Sequence, residues 1–233
     1  MSNNKKIGIA WCDNGTVNSE FMKGMIEVIE YIIRHRPDID YAGTISVVGN
    51  MIPAQRERVM SIWENQKDVD WLLWVDSDVV LNISIFNSLI NSIDEEERPI
   101  VSGVYYISYN RNGTMMNPVP AVFLDKGYKV EPIEPLPDFG MIQADSAGMG
   151  LVIMHRSIIN QIRSKYDSFF DITVGEKHIG EDISFFRKVK DVGIPLYVNV
   201  EATAKHMKTF SFDKNYYNLI KNRQALSVEN PTG

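Results

Sequence analysis

Residues 71–78 read Trp-Leu-Leu-Trp-Val-Asp-Ser-Asp, five apolar residues followed by two aspartates that a serine separates. Five consecutive apolar residues predict a short strand, and because both of its faces are apolar we expect a central strand of a parallel sheet. Side chains alternate along a strand, so residues two apart point the same way. Asp76 and Asp78 are therefore predicted to face one site at the carboxyl end of this strand.

Strands and helices alternate on both sides of this stretch. Short apolar runs predict strands at residues 7–11, 41–48 and 100–105. Apolar residues at helical spacing predict helices from residue 18 or 19 to Pro37, from Pro53 onward, and over residues 84–93. This alternation predicts an α/β fold with helices on the faces of a parallel sheet, which binds ligands at the carboxyl ends of its strands.

The second half of the chain has a different pattern. Residues 107–120 and 125–140 are rich in Gly, Pro and Asn, which predicts long loops of the kind that carry function. Further elements are predicted as strands at 151–154 and 196–200, a helix at 182–192 and an amphipathic segment at 215–226. We expect one continuous domain with two halves, residues 1–105 and 106–233, and no flexible linker between them.

Charge and cysteine content exclude some classes of protein. The net charge of −6 and the pI of about 5.3 argue against a nucleic-acid partner, which would need a basic surface. Cys12 is the single cysteine, so no intrachain disulfide can form, which fits a reducing compartment. With no signal-peptide core and no apolar run of about 18 residues, we expect a cytoplasmic protein without a membrane span.

The spacing of Asp76 and Asp78 has a chemical consequence. Two carboxylates this close repel each other unless a cation lies between or beside them. A hard divalent cation takes oxygen ligands and commonly bridges phosphate oxygens. The alternative is a solvated turn, but the position at the end of a buried strand favours a cation site.

His206 follows the last predicted strand in a polar stretch, with Lys208 just beyond it. An imidazole, a carboxylate and phosphate oxygens together suit Mn²⁺ better than Ca²⁺. Lys208 could steady a phosphate group. The alternative for His206 is an ordinary packed or surface histidine.

Asp182 and Arg56 each allow two interpretations. Asp182 shares a helix face with apolar residues, so its carboxylate is predicted to point inward. It can cap the helix or act as a general base at the rim of a cleft, and the residues leave both open. Arg56 lies near a helix start, where a planar guanidinium suits a diphosphate; the alternative is a surface arginine.

Taken in order, these residues resemble the GT-A fold of nucleotide-sugar glycosyltransferases over roughly residues 5–210. Residues 53–56 (PAQR) resemble the A-R-N stretch of the family-2-like enzymes, and residues 75–78 (VDSD) match their D-x-D motif. Residues 147–156 (AGMGLVIMHR) are similar to their glycine-containing acceptor-side loop and following strand. Residues 180–182 (GED) resemble their helix start, and His206 stands where many of them carry a third metal ligand.

The resemblance implies a Rossmann-like, mostly parallel sheet in which residues 1–105 bind the nucleotide sugar and a smaller half, residues 106–233, binds the acceptor. It implies a Mn²⁺ or Mg²⁺ ion held by three residues: Asp78, His206 and Asp76, the last of which also contacts the ribose. It implies nucleotide-sugar contacts from a further set of residues: Trp11, Asn50, Arg56, Ser77 and Lys208.

On the acceptor side, the resemblance implies that Asp182 is the base or an acceptor contact, with Glu181 beside it and Gly148 and Met149 in the loop. The implied reaction moves a hexose from a nucleotide-diphosphate sugar, UDP-glucose or another UDP-hexose, to a hydroxyl acceptor whose class the sequence leaves open: a sugar, a small molecule or a protein. Asp182 matches the base position of inverting relatives, which favours inversion.

Two other functions are consistent with part of the pattern. A sugar nucleotidyltransferase has a similar sheet but needs a Gly-rich phosphate loop after the first strand, where this chain has Cys-Asp-Asn-Gly at residues 12–15. A non-catalytic nucleotide-sugar-binding module would not need both the paired carboxylates and an inward Asp182.

Overall fold

The computed structural model describes residues 4–108, 118–171 and 180–209, together with residues 214, 216–218, 220 and 221. The first part of the chain has these elements: β1 (Lys5–Asp13), α1 (Ser19–His35), β2 (Ile39–Val48), α2 (Ile52–Asn65), β3 (Trp71–Val75), β4 (Val79–Val80), α3 (Ile83–Ser92) and β5 (Ile100–Val104). The second part has these: β6 (Tyr106–Ser108), β7 (Pro118–Pro120), β8 (Val122–Asp125), β9 (Val130–Pro132), β10 (Met141–Ala144), β11 (Ser146–Ala147), β12 (Leu151–His155), α4 (Ser157–Arg163), α5 (Glu181–Asp191), β13 (Leu196–Thr203) and β14 (Lys205–His206).

A seven-stranded sheet forms the centre of the fold, in the order β10-β13-β5-β12-β3-β1-β2. Strands β1, β2, β3, β5 and β13 run in one direction, whereas β12 and β10 run in the other. The predicted α/β class with a mostly parallel sheet is confirmed. One detail of the prediction is corrected: β3 is parallel to β1 but antiparallel to β12, because a strand from the second half of the chain enters the middle of the sheet.

The side chains of β3 alternate between two apolar layers, which explains why the strand is apolar on both faces. Trp71, Leu73 and Val75 pack into a core shared with α1 and α3. Leu72 and Trp74 pack into a second core shared with α2, α4 and α5. All five β3 residues are buried, so the strand is fixed in register by both layers.

Helix α1 begins where the sequence places a cap. The Asn18 side chain accepts a hydrogen bond from the amide of Glu20 at 2.9 Å, which satisfies one of the free donors of the first turn. Helix α2 has proline in its first turn, as the sequence predicts.

The predicted loops contain short strands that the sequence pattern did not indicate. The described ends of the 107–120 segment pair as β6 and β7, and β9 lies inside the 125–140 segment. Strands of three residues are too short to show an alternating pattern, so the Gly, Pro and Asn content of these segments indicates loops alone. Residues 109–117 and most of the predicted segment 215–226 lie outside the described residues. The division at residue 105 stays a prediction.

Among the described residues, none of the helices combines the length and apolar character needed to cross a membrane. The predicted cytoplasmic location stays a prediction.

Helix α1 packs closely against the chain after β4, which predicts that a side chain at Gly24 would destabilise the fold. A Cβ atom added at Gly24 would lie 2.1 Å from the carbonyl oxygen of Leu81, so backbone would have to move. We expect Gly24→Ala to lower the free energy of unfolding by about 1–3 kcal/mol, although alanine alone favours a helix. Urea unfolding measures this. Lys23→Ala, an exposed neighbour, should change it by less than about 0.5 kcal/mol. A Gly24→Ala protein as stable as wild type would contradict the packing described here.

Candidate active site

The turn Asp76-Ser77-Asp78 leaves the sheet at the carboxyl end of β3 and is held by remote backbone. The amide of Asp76 donates to the carbonyl of Gly150 at 3.0 Å, and the amide of Asn18 donates to the carbonyl of Ser77 at 3.0 Å. The three turn residues are half-buried. The turn therefore has a fixed shape, and its side chains are presented at one edge of the sheet.

The C-terminal part of the chain returns to the same turn. Strand β14 pairs antiparallel with β4, which places His206 opposite Val79. The amide of Met207 donates to the carbonyl of Asp78 at 2.7 Å. These backbone bonds bring His206 beside Asp78.

The carboxylate of Asp78 lies between two cationic or basic groups. Nε2 of His206 is 3.3 Å from Oδ2 of Asp78, and the ammonium group of Lys208 is 2.5 Å from the same oxygen. Burial by itself would raise the pKa of Asp78, but the His206 and Lys208 side chains beside the carboxylate outweigh burial and lower the pKa to about 2. Asp78 is therefore ionised at neutral pH.

The hydrogen bond made by Nδ1 of His206 indicates that Nε2 is the ring nitrogen free to bind a ligand. Nδ1 lies 2.9 Å from the backbone carbonyl of Tyr106, so this nitrogen carries the proton and donates it. In the neutral ring, Nε2 then presents a lone pair to the Asp78 carboxylate. Nε2 and the Asp78 oxygen are both acceptors, so at this separation they need a shared proton or a cation between them. Metal-binding histidines typically donate the N–H of their other ring nitrogen to a group such as a backbone carbonyl.

Asp76 has a different environment from Asp78. Its two carboxylate oxygens accept from the Arg56 guanidinium at 3.3 and 3.1 Å, and one of them also accepts from the Trp74 indole at 3.2 Å. Within the described ranges, no group of three His, Cys, Asp or Glu side chains is arranged to hold a metal ion. Asp78 and His206 form a pair, and Asp76 points instead to Arg56.

Arg56 is buried beneath the carboxylates, so the alternative of a surface arginine is wrong. Only 5% of the residue is exposed, and its second terminal nitrogen donates to Glu181 at 2.9 Å. The guanidinium carbon also lies 5.9 Å from the centre of the Trp74 ring. Arg56 therefore joins α2 to the end of β3 and the start of α5.

Asp182 is half-buried in the first turn of α5. One carboxylate oxygen accepts from the amide of Ile183 at 2.8 Å, whereas the N-cap residue itself is Gly180. Burial raises the pKa of Asp182; Arg56 opposes this, and the nearby Glu181 carboxylate adds to it. A carboxylate with a raised pKa accepts a proton more readily than an ordinary one.

The predicted nucleotide contacts lie at the same edge of the sheet. The Trp11 indole donates to Asp13 at 3.1 Å, and its ring packs edge-on against Phe21 at 5.7 Å. Asn50 is exposed just after β2. Next to it, the amide of Gly49 donates to the carbonyl of Asp13 at 2.9 Å, so the ends of β1 and β2 are held together.

The loop before β12 is shaped by a tyrosine that the sequence analysis did not select. A Cβ atom on Gly148 would lie 2.0 Å from the hydroxyl oxygen of Tyr105, and one on Gly150 would lie 3.0 Å from it. The Met149 side chain is fully buried in the core, so it anchors the loop and is not available at the surface.

Three residues at this edge were missed by the sequence analysis. Asp13 stands at the carboxyl end of β1, as Asp76 stands just after β3. Its position at the end of a predicted strand could therefore have identified it as a candidate. Gln55 is buried and its amide donates to the carbonyls of Asp13 and Val47, both at 2.8 Å. Tyr105 directly follows β5. No local pattern marks Gln55 or Tyr105, because their partners are remote in the sequence.

In the part of the chain that the structure describes, cavities also lie away from this edge. One, of about 600 Å³, is lined by residues that include Trp71, His155 and Ser157, and another, of about 630 Å³, by residues that include Lys6 and Asp40. Both lie at the amino ends of β1 to β3. His155 accepts there from the amide of Ser157 at 3.3 Å, which accounts for it as part of the start of α4.

Comparison with solved structures identifies similar folds. The A197 protein from STIV matches with a TM-score of 0.58 and 21% identity over 88% of this chain and 86% of that chain. GalNAc-T7, crystallised with UDP, GalNAc and Mn²⁺, matches with a TM-score of 0.54 and 15% identity over 94% of this chain and 48% of that chain. The chain thus spans about half the length of GalNAc-T7. At these identities the comparison shows the fold, and it confirms the predicted GT-A architecture.

No protein-family model and no curated protein matches the sequence.

The buried position of Arg56 predicts a large effect of its removal. Arg56→Met leaves two partly buried carboxylates without their cation, so we expect a loss of about 2–4 kcal/mol in the free energy of unfolding, measured in urea. Adding Glu181→Gln removes one of those charges and should recover part of the loss. Arg34→Met breaks an exposed pair with Glu30 and should cost less than about 1 kcal/mol. Equal effects of the two arginine variants would contradict a supporting role for Arg56.

Proposed function

We propose that this protein is a metal-dependent glycosyltransferase that takes a sugar from a nucleotide-diphosphate donor. The observation that carries the proposal is the pair formed by Asp78 and His206 at the carboxyl end of β3, with Nδ1 of His206 held by a backbone carbonyl. The fold adds support, since GalNAc-T7 has the same architecture and was crystallised with UDP, GalNAc and Mn²⁺.

The donor atoms of this pair fit a divalent cation. A carboxylate oxygen and an imidazole nitrogen suit Mn²⁺, or Mg²⁺ less closely, so Asp78 and His206 would hold the ion. When bound, the cation would neutralise the charge that builds on the diphosphate as the glycosidic bond breaks. Asp78 is already ionised, so it is ready to act as a ligand.

The remaining residues would hold the nucleotide sugar. Lys208 has an exposed ammonium group beside Asp78, where it could pair with a phosphate. Trp11, Asn50 and Ser77 would frame the nucleotide at the ends of β1, β2 and β3. Arg56 is already occupied by two carboxylates, so we assign it to holding Asp76 in place for the ribose.

Asp182 would act on the acceptor. The acceptor hydroxyl oxygen would attack the anomeric carbon opposite the diphosphate, its proton would pass to the Asp182 carboxylate, and the bond to the nucleoside diphosphate would break. This scheme inverts the configuration. Glu181 would act through Arg56, and the Gly148 loop would border the acceptor. We propose a UDP-hexose such as UDP-glucose as donor; the acceptor class stays open.

The metal site predicts a specific loss of binding. Asp78→Ala removes an anionic ligand, so we expect Mn²⁺-dependent binding of UDP, measured by calorimetry with and without the ion, to disappear. His206→Ala should weaken it strongly. The control is Asp94→Ala, which removes an aspartate that caps a surface turn.

Nucleotide release from a panel of UDP- and GDP-sugars with Mn²⁺ would then identify the donor. Full turnover in excess chelator would disprove the metal dependence. Clear preference for GDP would disprove the donor class, and tight binding without any turnover would indicate a binding module.

We expect Asp182→Asn to impair sugar transfer without impairing UDP binding. The amide is nearly isosteric and can still accept from the Ile183 amide, so the fold and UDP binding should persist. Transfer should fall by about 10²- to 10⁴-fold if the carboxylate is the base. The matched control is Asp191→Asn, at the exposed end of the same helix. Near-normal transfer with unchanged stereochemistry would show that Asp182 only caps the helix.

The same variant has a readout that does not depend on substrate. Because the folded state raises the pKa of Asp182, it binds a proton that the unfolded chain releases, so wild-type stability decreases as pH rises from 3.8 through the raised value. Asp182→Asn lacks this decrease. The difference in free energy of unfolding between the variant and wild type should therefore change in favour of the variant over that pH window and be constant above it.

A further inference from the structure

Tyr105 lies at the carboxyl end of β5, beside the turn that carries the paired aspartates. It is buried, and its backbone carbonyl accepts from the amide of Ala121 at 2.9 Å. Ala121 in turn accepts from the amide of Gly148 at 2.8 Å. The main chain therefore holds Tyr105 directly below the glycine loop.

The hydroxyl of Tyr105 fixes this loop from within. It accepts from the amide of Gly150 at 3.1 Å, and the carbonyl of Gly150 accepts from the amide of Asp76 at 3.0 Å. A side chain at Gly148 or Gly150 would collide with the phenol, so the glycines let the loop lie against it. Gly150 thus links the Tyr105 hydroxyl to the backbone of the turn Asp76-Ser77-Asp78.

The ring of Tyr105 contacts the other half of the site. Its centre lies 5.0 Å from the centre of the His206 ring, and the two planes meet at 81°, an edge-to-face arrangement. The next residue, Tyr106, accepts from Nδ1 of His206 through its carbonyl. Two consecutive residues therefore set the position and the rotation of the imidazole that faces Asp78.

We propose that Tyr105 is a positioning residue, which holds His206 by its ring and the Asp76 turn, through Gly150, by its hydroxyl. The inference rests on the proposed function, because it gives Tyr105 a role in forming the metal–nucleotide site. Tyr105 need not touch the substrate to do this. Burial raises the pKa of its phenol, so the hydroxyl stays neutral and acts by hydrogen bonding and packing.

Two substitutions separate the ring from the hydroxyl. Tyr105→Phe keeps the ring and removes the bond to Gly150, whereas Tyr105→Leu removes both. The matched control is Tyr31→Phe, which removes a hydroxyl that accepts from Asn87 at 3.0 Å, between α1 and α3. Circular dichroism and thermal melting would establish that each variant is folded.

Mn²⁺ affinity in the presence of UDP, measured by electron paramagnetic resonance, should distinguish the two variants. Tyr105→Phe should bind Mn²⁺ as wild type does, and Tyr105→Leu should bind it about 10- to 100-fold more weakly, as substitutions behind a metal ligand do. Tyr105→Phe should lower kcat by about 10- to 100-fold with little change in KM, because the Asp76 turn shifts relative to the reacting groups. A purely structural tyrosine would lower stability without this split.

A metal-free measurement tests the ring contact directly. The ring protons of His206, observed by NMR, should keep their shifts in Tyr105→Phe and move in Tyr105→Leu. The inference is overturned if Tyr105→Phe has wild-type kcat and folded Tyr105→Leu binds Mn²⁺ as wild type does. If Tyr105→Leu does not fold, Tyr105→Met takes its place. A wild-type protein that binds no Mn²⁺ with UDP would refute the proposed function, whereas the His206 shifts would still decide the contact.

Discussion

The burial of β3 on both faces is the constraint on which the rest of the structure depends. Alternate side chains of Trp71–Val75 enter two separate cores, so this strand can shift neither along its axis nor out of the sheet without exposing both. The turn at the carboxyl end of β3 is therefore attached to a strand that is fixed in place. The turn at Asp76-Ser77-Asp78 then exchanges backbone hydrogen bonds with Asn18, Gly150 and Met207, which lie far away in the sequence.

The site is a concentration of negative charge that the fold divides into two parts. Asp76 and Glu181 share Arg56 inside the protein, and this pairing leaves Asp78 as the carboxylate that faces outward to His206 and Lys208. Asp76 is thereby fixed as part of the scaffold, and Asp78 is the carboxylate that would bind the cation in the proposed function. Two aspartates of the same motif differ in chemistry because only one has a buried arginine.

Rigid support reaches the site from three directions, and each uses a different kind of contact. Arg56 supports Asp76 by ion pairs, Gly150 supports the turn by a backbone bond, and Tyr105 supports His206 by a ring contact. Under the proposed function, preorganisation of this kind would let a cation and a diphosphate bind without a rearrangement of the residues that hold them. The close approach of the loop to the Tyr105 phenol explains why glycines stand at positions 148 and 150.

The sequence by itself determined the longer strands and the helices of the first half, the place of Asp76 and Asp78 at a strand end, and the choice of His206 as a candidate residue, because periodicity and motif spacing are local properties. The two-residue strand β4 is too short to show such a pattern. The tertiary structure decided which aspartate pairs with Arg56, that Met149 is buried, that the Tyr105 ring packs against His206, and that Gln55 joins the ends of β1 and β2. These outcomes depend on contacts between segments separated by many residues, and on the antiparallel entry of β12 beside β3. Local patterns do not specify such contacts, since they arise only when the two apolar layers close around the sheet.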